Sequence, residues 1–125
     1  MYLYLMKILS WNVRGLGWAD RRRRVKEVLR LKNVDMALLQ ETKRSNIDES
    51  VVRSLWPFDS VEYMEMGAEG SAGGILCIWN PMIFSLQECC CSRNFIILAG
   101  IMQSFINCVI GNIYAPNEEL NRRRL

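Results

Sequence analysis

Apolar and polar positions change period along the chain. Lys7 to Val13 is a short β-prone run that breaks at Arg14-Gly15-Leu16-Gly17, so it reads as a strand delivering Asn12 to a glycine-punctuated loop. From Asp20 onward, Val25, Val28 and Leu29 return at helical spacing between charges, which predicts an amphipathic helix over about Arg21 to Lys32 with Asp20 as its N-cap. Val34 to Gln40 is almost continuously apolar and of strand length, the pattern of a strand covered on both faces, and it carries Glu41 at its polar end. Strand, helix and strand within about 35 residues make a βαβ-like unit. If its two strands are parallel neighbours, Asn12 and Glu41 share one edge of the sheet.

Ser45 to Leu55 reads as a second helix, with Ser45 and Asp48 in a capping-box-like arrangement, Val51, Val52 and Leu55 on one face, and Pro57 just beyond. Beyond it the pattern is β throughout. Segments around Val61 to Met66, Gly73 to Trp79, Ile83 to Cys89, Phe95 to Met102 and Phe105 to Tyr114 are short, rich in β-branched or aromatic residues, and separated by Gly, Asn, Pro or Ser clusters. Antiparallel meanders are expected from them. The fold class is therefore α/β.

Composition narrows the chemistry. At 125 residues, half of them apolar and four of them Trp, the chain reads as one packed unit. The net charge of +3 is small, but Arg21 to Arg24 and Arg122 to Arg124 concentrate it, and cations in the first turn of a helix oppose its dipole. That mismatch points either to an anionic partner such as DNA phosphate or to a solvated face. There is no histidine, which removes Ser-His-Asp triads, Cys-His pairs and His-ligated zinc from consideration within this chain. Five cysteines, three of them adjacent at Cys89 to Cys91, lack both a disulfide framework and C-x-x-C spacing, so strand packing in a reducing compartment is the better reading. The apolar start, Met1 to Met6, is too short for a signal peptide or a membrane span. An intracellular protein of nucleus or cytoplasm is expected, neither secreted nor in a membrane. Gly73-Gly74 reads as a strand-entry device, since no G-x-x-x-x-G-K-[ST] surrounds it.

Three polar clusters stand where strands end: Ser10-Trp11-Asn12-Val13-Arg14-Gly15, Leu39-Gln40-Glu41-Thr42-Lys43, and Gly111-Asn112-Ile113-Tyr114-Ala115-Pro116-Asn117. Their order and spacing resemble the first blocks of the endonuclease/exonuclease/phosphatase superfamily, W-N-x-x-G, L-Q-E-T-K and N-x-Y-x-P-N. The form WNVRGLG followed by LLQETK and AGGILCIW is most similar to the apurinic-type endonuclease of LINE-type retrotransposons, over about Lys7 to Asn117. The resemblance implies the N-terminal half of a four-layer α/β/β/α sandwich, with a mixed or antiparallel sheet bearing two helices on one face. It implies Mg²⁺, or Mn²⁺, bound weakly by Glu41 with Asn12 beside it, and DNA as the ancestral substrate, cleaved to leave a 3′-hydroxyl. Tyr114 and Asn117 would face the scissile phosphate. Each residue also has an ordinary reading: Glu41 as an exposed turn acid, Asn12 as an Asx-type turn, Tyr114 as a half-buried strand end, and Asn117 as turn chemistry after Pro116. Mg²⁺ is satisfied by one or two carboxylates with retained waters, which suits Glu41.

Other family features are missing. Neither the G-D-x-N block nor the S-D-H block occurs, and Arg14 stands where some repair-type relatives carry an acidic metal-proximal residue. The chain, 1–125, is thus expected to be a partial domain without its C-terminal half, hydrolysing weakly or not at all. Its inner sheet face would be left bare, so self-association, or union with the missing half, is expected through an exposed apolar surface. The competing readings are a non-catalytic nucleic-acid-binding or interaction module and a subunit completed by a separate chain.

Overall fold

A computed structural model describes residues 6–69 and 73–115. Seven strands and two helices follow in the order β1 (Ile8–Asn12), α1 (Ala19–Lys32), β2 (Met36–Gln40), α2 (Glu49–Leu55), β3 (Glu62–Met66), β4 (Ile75–Trp79), β5 (Phe84–Ser92), β6 (Phe95–Met102) and β7 (Ile106–Ile113). Strands β1 and β2 are parallel neighbours, with Asn12 opposite Gln40, as the βαβ pattern requires. The first sheet has the order β1-β2-β4-β3, with β4 inserted antiparallel between β2 and β3. Its central place follows from composition: all five β4 residues are buried, so both faces need cover. The second sheet is the antiparallel meander β5-β6-β7, and a register shift between Leu86 and Glu88 bends β5.

Alternate residues of the first sheet feed two cores. Ala37, Leu39, Leu76 and Ile78 pack against Val25 and Leu29 of α1 and Val51, Val52 and Leu55 of α2. Met36, Leu38, Ile75, Cys77 and Trp79 on the opposite face pack against Phe84, Ile96, Leu98 and Ile110 of the second sheet. Two helices, the first sheet and the second sheet are therefore three of the four layers of an α/β/β/α sandwich. Each of the larger buried side chains in these layers contributes about 1.5–3 kcal/mol.

This layering changes the expectation of a bare inner face. The meander after Pro81 folds back and covers that face, so the argument for self-association through it loses its basis. The large exposed apolar side chains of this sheet are instead Phe105, Val109 and Ile113, at 67, 72 and 69% exposure. By the alternation along β7, Val109 and Ile113 lie opposite to the buried Ile110 and Asn112, on the outward face of the second sheet.

Two helix starts also differ from expectation. The first helix begins at Ala19 with Trp18 at the N-cap, because the Arg22 amide donates to the Trp18 carbonyl; Asp20 sits inside the first turn and pairs with Arg23. The second begins at Glu49, not near Ser45, and Asp48 alone caps it by accepting from the Val51 amide at 3.0 Å. Ser45 is held out of the helix because its flanking backbone is tied down: the Ala68 amide donates to the Arg44 carbonyl at 2.9 Å. The first helix closes at Asn33, in the left-handed conformation that Asn tolerates, with its N–H directed to Arg30 and Leu29 carbonyls. No helix among the described residues is long and apolar enough to cross a membrane.

Candidate functional site

Parallel pairing brings the ends of β1 and β2 to one edge of the sandwich. There the chain makes an alternating left-handed turn, with positive φ at Glu41 and Lys43 on either side of fully buried Thr42. Non-glycine residues avoid this region by roughly 1–2 kcal/mol each, so the surrounding hydrogen bonds must impose it. They come from two sides. The Gly15 and Leu16 amides donate to the Glu41 and Thr42 carbonyls at 2.7 and 2.9 Å, while the Thr42 and Lys43 amides donate to the Gly74 and Gly73 carbonyls at 3.1 and 2.8 Å. Loop 41–43 is thus sewn between loop 13–16 and the entry to β4.

The Gly73-Gly74 pair is what permits this closeness. Both glycines have positive φ, and a Cβ at Gly74 would overlap the Thr42 hydroxyl and press on Ala68 Cβ and Lys43 N at 3.3 Å. The strand-entry reading of these glycines agrees with that geometry.

Asn12 and Glu41 meet directly: the Asn12 amide nitrogen donates to Glu41 Oε2. The other side of the Asn12 amide accepts from the Arg14 backbone N–H at 3.1 Å, so both ends of the side chain are held. Asn12 thus holds the Glu41 carboxylate through its nitrogen while its oxygen meets the Arg14 amide. Lys43 Nζ lies 3.9 Å from Glu41 Oε1, and the Glu41 side chain keeps 19% exposure. This carboxylate therefore already faces positive charge, and its neighbourhood (Arg14, Lys43 and Arg44) is basic. One held, partly exposed carboxylate fits a hydrated Mg²⁺ or Mn²⁺, which takes few protein ligands. Among the described residues no group of three or more His, Cys, Asp or Glu side chains could hold a metal.

Tyr114 reaches the same edge from the second sheet. Its ring would lie 3.9 Å from a Cβ at Gly73, the residue whose carbonyl binds the Lys43 amide. Its own amide donates to the Asn94 carbonyl at 2.8 Å. Asn117 and the Arg122 to Arg124 run lie outside the described residues.

Residues 9–117 match the Endonuclease/Exonuclease/phosphatase family. The chain belongs to that family. No curated protein matches it significantly in sequence. Solved structures share the fold. An AP endonuclease from Leishmania major has a TM-score of 0.68 at 16% identity, covering 95% of this chain and 43% of that one. A truncated TDP2 from Caenorhabditis elegans has 0.68 at 16%, covering 94% and 49%. The 3′ phosphatase NExo from Neisseria, bound to product DNA hairpin, has 0.60 at 18%, covering 84% and 40%. The chain thus spans under half the length of these three relatives.

The structural roles of several residues of this family member escaped sequence reasoning. Asn112 is 1% exposed and links the sheets: its amide nitrogen donates to the Leu39 and Leu76 carbonyls at 3.3 and 3.1 Å, and its oxygen accepts from Gln40 Nε2 at 2.8 Å. The available signal was an amide at an inward position of an apolar strand, two residues before Tyr114. Gln40 directly precedes Glu41, so this link anchors the end of β2 from behind. The arginine run also has a local role. Arg21 and Arg22 each donate at 2.7 Å, to the Val13 and Leu16 carbonyls, and so brace the loop that follows Asn12. Carbonyl dipoles at these two cations offset part of their conflict with the helix dipole.

Proposed function

We propose that this chain is the carboxylate-bearing N-terminal part of a Mg²⁺-dependent DNA endonuclease domain of retroelement type, whose ancestral reaction cleaves a phosphodiester to leave a 3′-hydroxyl. The observation that carries the reading is the Asn12 amide clamped onto Glu41 at an edge also reached by Tyr114. DNA as the substrate is supported by the AP endonuclease and the DNA-bound 3′ phosphatase among proteins of this fold. Arg14, in place of an acidic residue, favours retroelement-type over repair-type chemistry.

Glu41 would hold Mg²⁺ or Mn²⁺, which when bound polarises a phosphoryl oxygen and acidifies water. Asn12 keeps Glu41 in position, the Tyr114 phenol donates to a phosphate oxygen as charge grows, and Asn117 contributes an amide to the same phosphate. The chain has no histidine to act as general base, and loss of such a group costs about 10²–10⁴-fold. Hydrolysis by these 125 residues is accordingly weak or absent. Unspaced free cysteines suit an intracellular setting, nuclear or cytoplasmic. Further protein, whether the rest of the domain or a second copy, would dock on the outward face bearing Val109 and Ile113.

The test is Mn²⁺ binding followed by electron paramagnetic resonance, alongside plasmid nicking in Mg²⁺. Wild type should bind and Glu41→Ala should not; equal binding by both would remove Glu41 from the metal site. A second reading, a nucleic-acid-binding module without chemistry, rests on the basic loops around Glu41. Nicking that disappears in Glu41→Ala would overturn it, whereas salt-dependent DNA retention without nicking would favour it.

A further inference from the structure

Next to Glu41, but distinct from it, an open hollow of about 310 Å³ lies between the loop after β1 and the loop after β2. Gly17, Lys43, Arg44, Ser45 and Asn46 line it. Two cations, a hydroxyl and an amide meet there, with no acidic side chain in the lining among the described residues, a donor-rich set matched to an oxyanion. Its walls are fixed, because the Leu16 amide binds the Thr42 carbonyl at 2.9 Å and the Ala68 amide binds the Arg44 carbonyl at 2.9 Å.

Arg44 gives a second, independent observation. Its Nε is buried, and it has no acceptor among the described residues. With Nε held inside, the half-buried Arg44 side chain brings a permanent cation to the wall of the hollow, the charge a phosphate oxygen pairs with. Lys43 joins the two places: it lines the hollow, and its Nζ is 3.9 Å from Glu41 Oε1. Trp18, the residue after Gly17, is 79% exposed beside it and offers a flat face to a base.

We propose that this hollow is a subsite for a neighbouring backbone phosphate of the strand whose scissile phosphate lies at Glu41, a reading that rests on the DNA-directed function above. Lys43 and Arg44 supply the charge, Ser45 and Asn46 supply hydrogen bonds, and the close backbone at Gly17 leaves room for the phosphate. The subsite sets the register of the strand: with one phosphate seated here, an adjacent one is presented to the carboxylate.

The test is fluorescence anisotropy of a labelled single-stranded oligonucleotide with the 125-residue chain in EDTA, at about 50 and 200 mM salt. Each phosphate contact accounts for about a threefold loss of affinity over that range. Arg44→Gln should weaken binding at low salt and reduce the salt-dependent loss by about that factor. Asn46→Asp, at an exposed lining position, should weaken binding by charge repulsion without disturbing the buried Nε, and it decides the matter if Arg44→Gln fails to fold. Lys32→Gln, at the far end of the first helix, should change neither quantity. Wild-type binding that neither hollow variant weakens would overturn the subsite and leave the DNA reading standing; no DNA binding by wild type would sink both. Complete displacement of the oligonucleotide by millimolar inorganic phosphate would make the hollow a site for free phosphate and overturn the strand proposal.

Discussion

Replacing Gly74 by Ala tests whether the glycine pair builds the site. Its φ of +95° lies where an L side chain is strained, which costs roughly 1–2 kcal/mol. The added Cβ would also overlap the Thr42 hydroxyl, with Ala68 Cβ and Lys43 N at 3.3 Å barring escape, and overpacking of this kind costs about 1–3 kcal/mol. Gly74→Ala should therefore lose about 2–5 kcal/mol in urea unfolding followed by circular dichroism. Thr42→Ala removes the overlapped atom, a buried hydroxyl with no hydrogen-bond partner among the described residues, so alone it should change stability by less than about 1 kcal/mol. Combined with Gly74→Ala, it should recover the steric part, about 1–3 kcal/mol, and leave the backbone part. The same variants carry a metal readout. The Gly73 and Gly74 carbonyls hold the Lys43 and Thr42 amides, so pushing the β4 entry away releases the turn that presents Glu41, and Mn²⁺ affinity should fall in parallel. A loss below about 1 kcal/mol for the single variant, or a double variant no more stable than the single, would refute the reasoning.

Three further outcomes follow from buried groups. Asn112→Leu should cost about 2–4 kcal/mol in the same unfolding assay, since the Leu39 and Leu76 carbonyls lose the Asn112 donor away from water and Gln40 Nε2 loses one of its three acceptors. Glu65 has a carboxyl pKa raised by burial, and its Oε2 has no partner among the described residues; a raised folded-state pKa makes stability fall as pH rises from the ordinary value near 4.5 through the folded value. Glu65→Gln should thus raise the melting temperature at pH 7, with the gain fading below about pH 4.5; a gain independent of pH would show that charge is not the cause. Burial pushes the Cys77 thiol up to about 12, so iodoacetamide at pH 8 should label exposed Cys89 and Cys90 in the folded chain and reach Cys77 only after unfolding, as read by mass spectrometry.

The βαβ start was legible because its period changes cleanly and its polar ends are unambiguous, and the placement of Asn12 and Glu41 at one sheet edge followed from that geometry. The meander strands were legible as strands, but not as a second sheet covering the first. In β6, Phe95, Ile96, Ile97 and Leu98 are apolar on both faces, so alternation cannot say which side meets the core. Helix starts failed where several good caps compete, as with Ser45 and Asp48, because tertiary hydrogen bonds decide between them. The left-handed turn at Glu41 and Lys43 is also invisible in sequence, since neither residue favours it; loops distant in the chain enforce it. Asn112 was hidden for a related reason: its partners come from other strands, up to 73 positions away.

Asn112 has a mechanical meaning as well. Two greasy sheets stacked face to face can slip past each other while losing little burial, because the hydrophobic effect has no direction. A directional amide that grips both central strands of the first sheet and the end of β2 acts as a shear pin, making such slippage break bonds. Its partner Gln40 directly precedes Glu41, so this pin adds direction to the alignment of Tyr114 with the Glu41 edge, and a variant there that keeps the fold would offset the two halves of the site.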